Sequence, residues 1–167
     1  MKCSDNIIVR KTELNDIEHL KDIFAHARLF MESTGNPDQW GDGYPSEELV
    51  LDDISSGDSY VCVSEGRVVA TFVLRGGDDP TYAQIYEGQW LDSAPYATIH
   101  RIASSGEVKH IFHVVVHFAL TRYDSIRIDT HSDNKVMQAA ILKEGFRYCG
   151  VIRCWNSTER LAYQYVK

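Results

Sequence analysis

A strand-like run that leads through a short glycine-containing loop into a long apolar helix constrains the fold of this chain most. Residues 96–103 are rich in β-branched and apolar side chains, and the Ser-Ser-Gly at 104–106 ends this run. Residues 108–122 follow with the length and apolar content of a helix. Residues 125–129 alternate as a further strand. This order indicates an α/β fold.

Two helices and a hairpin are predicted ahead of that segment. Apolar residues recur at three- and four-residue steps from Ile17 to Met31, which marks a helix of roughly five turns. Ser46, followed by two glutamates, suits the start of a second helix. The runs 60–63 and 68–74 flank a Ser-Glu-Gly-Arg turn and predict two antiparallel strands.

The ends of the chain complete the element order. Residues 7–9 suit a first strand. Asp133 or Asn134 caps a helix that ends at Gly145. Residues 147–155 and 161–166 suit the last two strands. The predicted order is strand, helix, helix, three strands, helix, strand, helix and two strands. We expect a mixed sheet in a single domain that spans residues 1–167.

Composition and charge exclude several classes of partner. The net charge of -7 and the lack of a basic run argue against nucleic acid. The sequence lacks an apolar run of the ~18 residues that a membrane span needs, and it lacks a signal peptide, so we expect a cytoplasmic protein without a membrane partner. Cys3, Cys62, Cys149 and Cys154 form no CxxC pair, so neither a disulfide framework nor a structural metal is indicated.

Three sequence strings carry a resemblance to a known family. Residues 99–104 read Ile-His-Arg-Ile-Ala-Ser ahead of a helix, residues 127–134 read Arg-Ile-Asp-Thr-His-Ser-Asp-Asn, and residues 143–146 read Lys-Glu-Gly-Phe. With the element order, these strings resemble the core of the GNAT superfamily of N-acetyltransferases over essentially the whole chain. The resemblance implies an α/β GNAT fold with a mostly antiparallel sheet of about six or seven strands and helices on both faces.

The resemblance also implies acetyl-CoA as co-substrate and a primary amine of a small molecule or peptide as acceptor, with direct transfer in a ternary complex. The resemblance also allows a homodimer. The helix that follows residues 99–104 would hold the pyrophosphate at its N-terminus. The residues implied in coenzyme binding are Ile102, Ala103, Ser104, Lys109, His110, Ile111, Phe112, Asn134 and Met137.

The chain departs from the family pattern at two places. Lys109 keeps a cation in the phosphate loop, but His110 and Phe112 stand where the family has small residues. Ile141 stands where many members carry a tyrosine that protonates the departing thiolate. An alternative function is therefore a catalytically impaired coenzyme-binding or regulatory module of the same fold. Asn134, which would bind the pantetheine, is equally well explained as a helix cap.

His100 is the candidate general base, because imidazole exchanges a proton near neutral pH. The alternative is a hydrogen-bonded core histidine beside a structural Arg101.

Aromatic and acidic residues of two irregular segments predict the acceptor site. Trp40, Tyr44, Tyr86 and Glu87 are the candidates, since aromatic faces and carboxylates suit a cationic amine. The alternative is that the aromatics of these segments anchor long loops to the core.

His110, His113 and His117 would share one helical face, a spacing that can bind zinc or copper. Because no carboxylate follows at HExxH spacing, we expect no metal.

Overall fold

The computed structural model describes residues 6–167, and Cys3 lies outside this range. Within it the chain forms seven strands and four α-helices, in the predicted order. Their bounds are β1 (Ile7–Lys11), α1 (Ile17–Ser33), α2 (Glu47–Ser55), β2 (Ser59–Ser64), β3 (Arg67–Gly76), β4 (Ala97–Ser104), α3 (Ile111–Leu120), β5 (Ser125–Thr130), α4 (Lys135–Lys143), β6 (Arg147–Arg153) and β7 (Glu159–Val166).

All seven strands belong to one sheet, with the spatial order β1-β2-β3-β4-β5-β7-β6. Five of the six neighbouring pairs are antiparallel, and β4 and β5 run parallel. The α3 helix makes the crossover between the two parallel strands. The structure thus confirms the mixed, mostly antiparallel sheet.

Helices cover both faces of the sheet, as predicted. Side chains alternate between faces along a strand, and β2 shows this directly: Val61 packs among α1 and α2, whereas its neighbours Tyr60 and Cys62 pack in the larger cluster that includes α3 and α4. The α1 stripe of Leu20, Ile23, Phe24 and Ala27 is buried in the first cluster.

Two helices begin with their predicted caps, whereas α3 begins later than predicted. Ser46 accepts a hydrogen bond from the backbone of Leu49 at 3.2 Å, and Asn134 accepts one from Met137 at 3.0 Å. By contrast, α3 begins at Ile111, three residues later than the prediction from Val108 onward. The reason is His110, whose φ of 63° is left-handed and cannot continue a right-handed helix.

The segment between β3 and β4 contains one short 3-10 turn, Pro80–Tyr82. Its aromatics fasten it to the sheet. The Arg127 guanidinium of β5 lies 4.1 Å from the Trp90 ring and 3.8 Å from the Tyr96 ring, and it donates to the carbonyl of Asp92 at 3.0 Å. Tyr82 is almost completely buried. These contacts support the anchoring alternative for these aromatics.

Candidate active site

The parallel strands β4 and β5 separate along their length. In residues 6–167 they pair at two positions only, Ala97 with Ile126 and Thr98 with Arg127. Beyond Thr98, the edge of β4 that faces β5 has no strand partner in this part of the chain. The backbone N–H and C=O groups of that edge need another partner, which makes the wedge a place for an extended ligand.

A bulge in β4 lies beside the wedge. The register between β3 and β4 shifts by one residue between Thr71 and Val73, so β4 carries an extra residue there. Arg101 in this bulge has a φ of 48°, a left-handed conformation that costs about 1–2 kcal/mol. Its Nε and Nη2 donate to the two carboxylate oxygens of Asp53 at 2.8 and 2.7 Å. The buried pair holds the bulge against α2.

The wedge opens into a cleft of about 910 Å³. One wall is the bulged part of β4, and the opposite wall is the end of β5 with the start of α4. The loop at 38–44 and the turn at 154–156 form the rim. The lining residues used below are Gln39, Trp40, Tyr44, Asp79, His100, Ile102, Asp129, Asn134, Met137, Cys154 and Arg160.

His100 and Asp79 form a hydrogen-bonded pair in this cleft, with His100 Nε2 2.8 Å from Asp79 Oδ2. Burial opposes the charge of Asp79, but the hydrogen bonds from His100 and Thr81 outweigh it and lower the pKa of this carboxyl below its ordinary value. An ionised carboxylate only accepts hydrogen bonds. We therefore assign a proton to His100 Nε2, which donates it to Asp79.

The opposite wall carries a second polar pair. The Tyr82 hydroxyl donates to Asp129 Oδ2 at 2.6 Å. Burial raises the pKa of Tyr82 well above its ordinary value, and the Asp129 charge adds to this, so the phenol stays protonated. Burial likewise raises the pKa of Cys154 to about 11, which keeps that thiol neutral. Asp129 is thus the hydrogen-bond acceptor of a neutral phenol on this wall.

Gln39 connects the rim loop to the second wall. Its Oε1 accepts hydrogen bonds from Asn36 Nδ2 and Asn134 Nδ2, both at 2.9 Å, and its backbone carbonyl accepts one from Arg160 at 3.0 Å. Sequence reasoning missed Gln39 as a site residue, because a glutamine in a turn-rich loop carries no pattern that shows which elements it joins.

A solved structure described as a GNAT-family acetyltransferase from Streptococcus agalactiae 2603 is 32% identical to this chain. The match has a TM-score of 0.84 and covers 98% of this chain and 96% of that one. The chain belongs to the GNAT acetyltransferase family. No family profile and no curated protein matches it.

Two more distant GNAT structures have the same fold. One is AAC(6')-Ib in complex with parmomycin and acetyl-CoA, at 13% identity and a TM-score of 0.68, with 98% of this chain and 94% of that one covered. The other is the Drosophila melanogaster polyamine N-acetyltransferase, at 13% identity and a TM-score of 0.62, with 97% and 100% covered. Membership of the family supports acyl transfer as the activity, and the AAC(6')-Ib structure holds acetyl-CoA.

In this GNAT chain, the residues implied in coenzyme binding lie on β4, at the start of α3 and at the start of α4. Ile102, Asn134 and Met137 line the cleft, and Ala103 is buried on the α1 face of β4. Ser104 ends β4, where its Oγ accepts a hydrogen bond from the Gly106 backbone at 3.0 Å.

The loop between β4 and α3 has unusual residues at the start of the helix. Lys109 and His110 are exposed, and Ile111 is buried. The left-handed His110 has the conformation that glycine adopts most readily. Phe112 packs against the core, with its ring centroid 6.2 Å from that of Phe146. The Phe112 side chain thus leaves the helix N-terminus clear.

The predicted acceptor residues divide into two groups. Trp40 and Tyr44 line the cleft, with ring centroids 5.8 Å apart. Tyr86 and Glu87 do not join them. The backbone of Tyr86 exchanges two hydrogen bonds with Val151 of β6, both 2.8 Å long, and its ring lies under Arg153. Glu87 follows on the same exposed loop.

Proposed function

We propose that this GNAT protein transfers the acetyl group of acetyl-CoA to a primary amine of a small molecule or peptide, by direct attack in a ternary complex. The single observation that carries the proposal is the position of the His100–Asp79 pair in the wedge between β4 and β5. A base and an unpaired strand edge in one cleft are what amine acylation requires.

The coenzyme would lie along β4 and end at α3. The pantetheine arm would pair with the backbone of Ile102, Ala103 and Ser104. The pyrophosphate would meet the free N–H groups of the first turn of α3, beside the cation of Lys109. An asparagine amide has two donor hydrogens, and Asn134 uses one on Gln39, so the other is available to the pantetheine.

His100 Nδ1 would accept the proton of the attacking amine, while Asp79 fixes the ring and stabilises the imidazolium that forms. The amine nitrogen bonds to the thioester carbonyl carbon, and backbone N–H groups of β4 stabilise the oxyanion. The carbon–sulfur bond then breaks. Ile141 is completely buried and has no proton to give, so the departing thiolate takes its proton from solvent.

The acceptor would enter past the Trp40 and Tyr44 rings. The aromatic faces offer apolar contact and cation–π attraction to an amine. The side chain of Asp129 on the far wall adds polar oxygens within the cleft. The polyamine N-acetyltransferase among the relatives, whose reaction forms N-acetylagmatine, makes polyamines and other diamines the first acceptors to test.

The proposal is tested by measuring free thiol release from acetyl-CoA with a panel of polyamines, monoamines and peptide amines, and by identifying the acetylated product by mass spectrometry. We expect at least one amine to raise thiol release above the hydrolysis background. The substitution His100→Asn is the matched control, because it keeps a polar side chain without a titrating nitrogen.

The impaired-module alternative is favoured by one observation, the burial of Ile141 at the position where the family pattern has a tyrosine. It predicts that coenzyme A raises the melting temperature, since a ligand bound only to the native state stabilises it, while no amine in the panel increases thiol release. The absence of a coenzyme-dependent shift would contradict both functions.

A further inference from the structure

Outside the cleft, two histidines of α3 and one carboxylate that follows α4 form a compact cluster. His113 Nδ1 lies 3.0 and 3.1 Å from the two carboxylate oxygens of Glu144. The His113 and His117 ring centroids are 4.1 Å apart. One ligand atom from each of His113, His117 and Glu144 can be chosen so that all three lie within 4.8 Å of one another.

This spacing fits a tetrahedral metal. Ligand atoms bound about 2.0–2.1 Å from a tetrahedral zinc ion lie about 3.3 Å apart. The His113–Glu144 distances already approach that value, and the third ligand needs a small closing movement. His113 and His117 are exposed side chains four residues apart on one helix face, so this movement requires only side-chain rotation.

The chemistry of the ligands selects the ion. Two imidazoles and one carboxylate suit zinc, copper and nickel, whereas calcium and magnesium prefer oxygen ligands alone. An HExxH motif, which this sequence lacks, would place the carboxylate on the same helix as the histidines. Here the fold supplies it from a different element, the residue directly after α4.

We propose that His113, His117 and Glu144 bind one divalent transition-metal ion, with Zn²⁺ as the probe and water in the remaining coordination position. The ion would join the first two turns of α3 to the end of α4. Since Val115 of α3 and Ile141 of α4 lie in the same apolar cluster, the metal would add an exposed clip between two helices that share a core.

The test is a titration of the metal-free protein, with any affinity tag removed, with Zn²⁺ against a chromogenic chelator. We expect one Zn²⁺ bound per chain at this site. His117→Ala and Glu144→Gln should each weaken binding at least tenfold. His19→Ala, which removes an exposed histidine of α1, should leave it unchanged. Equal zinc affinity of wild type and His117→Ala would overturn the proposal.

A second measurement separates loss of the site from loss of the fold. At a Zn²⁺ concentration about 100 times the dissociation constant, the wild-type melting temperature should rise by about 5–10 °C. His117→Ala should melt as the wild type does without metal and should show little shift with it. A zinc-dependent rise of the same size in both proteins would contradict the assignment.

Discussion

The buried pair of Arg101 and Asp53 gives the sharpest prediction about stability. The Asp53 side chain is 4% exposed and that of Arg101 is 10% exposed, and two short hydrogen bonds join them. Asp53→Ala leaves the Arg101 charge buried without its main partner, which costs about 3–5 kcal/mol. This is a large part of the roughly 5–15 kcal/mol by which native proteins are stable.

The measurement is urea unfolding followed by circular dichroism, together with thermal melting. Asp53→Ala should lower the melting temperature by about 6–20 °C, at about 2–4 °C per kcal/mol for a chain of this length. Asp124→Ala is the matched control, because its partner Lys167 is 54% exposed and such a pair is worth about 1 kcal/mol or less. Equal losses in both variants would refute the reasoning.

Three further predictions concern the cleft and its loops. Hydrogen bonds lower the pKa of Asp79 in the folded protein, so its ionised form adds stability above the ordinary carboxyl pKa, and this stability is lost as the pH falls toward the folded pKa. Asp79→Asn should therefore reduce the loss of stability on acidification. An unchanged loss of stability at low pH would contradict the pairing. The Cys154 thiol has its pKa raised to about 11, so it should react slowly with iodoacetamide near pH 8 and faster as the pH approaches about 11. Peptide mass spectrometry measures this labelling, and rapid labelling near pH 8 would contradict the burial of the thiol. Gly150→Ala should destabilise the protein in thermal melting, because a Cβ there would lie 2.5 Å from the Tyr86 carbonyl oxygen; an unchanged melting temperature would contradict that close approach.

The element order could be predicted because each helix and strand carries its own period or cap. The apolar stripe of α1, the hairpin around residues 64–67 and the caps at Ser46 and Asn134 are local signals, and the structure has all of them. The start of α3 was missed because the left-handed conformation of His110 has no sequence signal when the residue is not glycine.

Contacts between elements could not be predicted in the same way. His100 was a candidate because imidazole exchanges a proton near neutral pH, but its partner Asp79 lies on a loop that has no hydrophobic period. Tyr86 was expected at the acceptor site, yet its loop packs against β6, where the Tyr86 carbonyl oxygen lies close to Gly150. Glu144 reaches the α3 histidines only through the packing of two helices.

The proposed acyl-transfer step at His100 is tested most directly by steady-state kinetics with acetyl-CoA and the best amine found in the panel. If His100 Nδ1 is the base, His100→Asn should lower kcat by about 10²–10⁴-fold while the KM for acetyl-CoA stays close to that of the wild type. A His100→Asn variant that turns over at the wild-type rate over the whole pH profile would contradict the account.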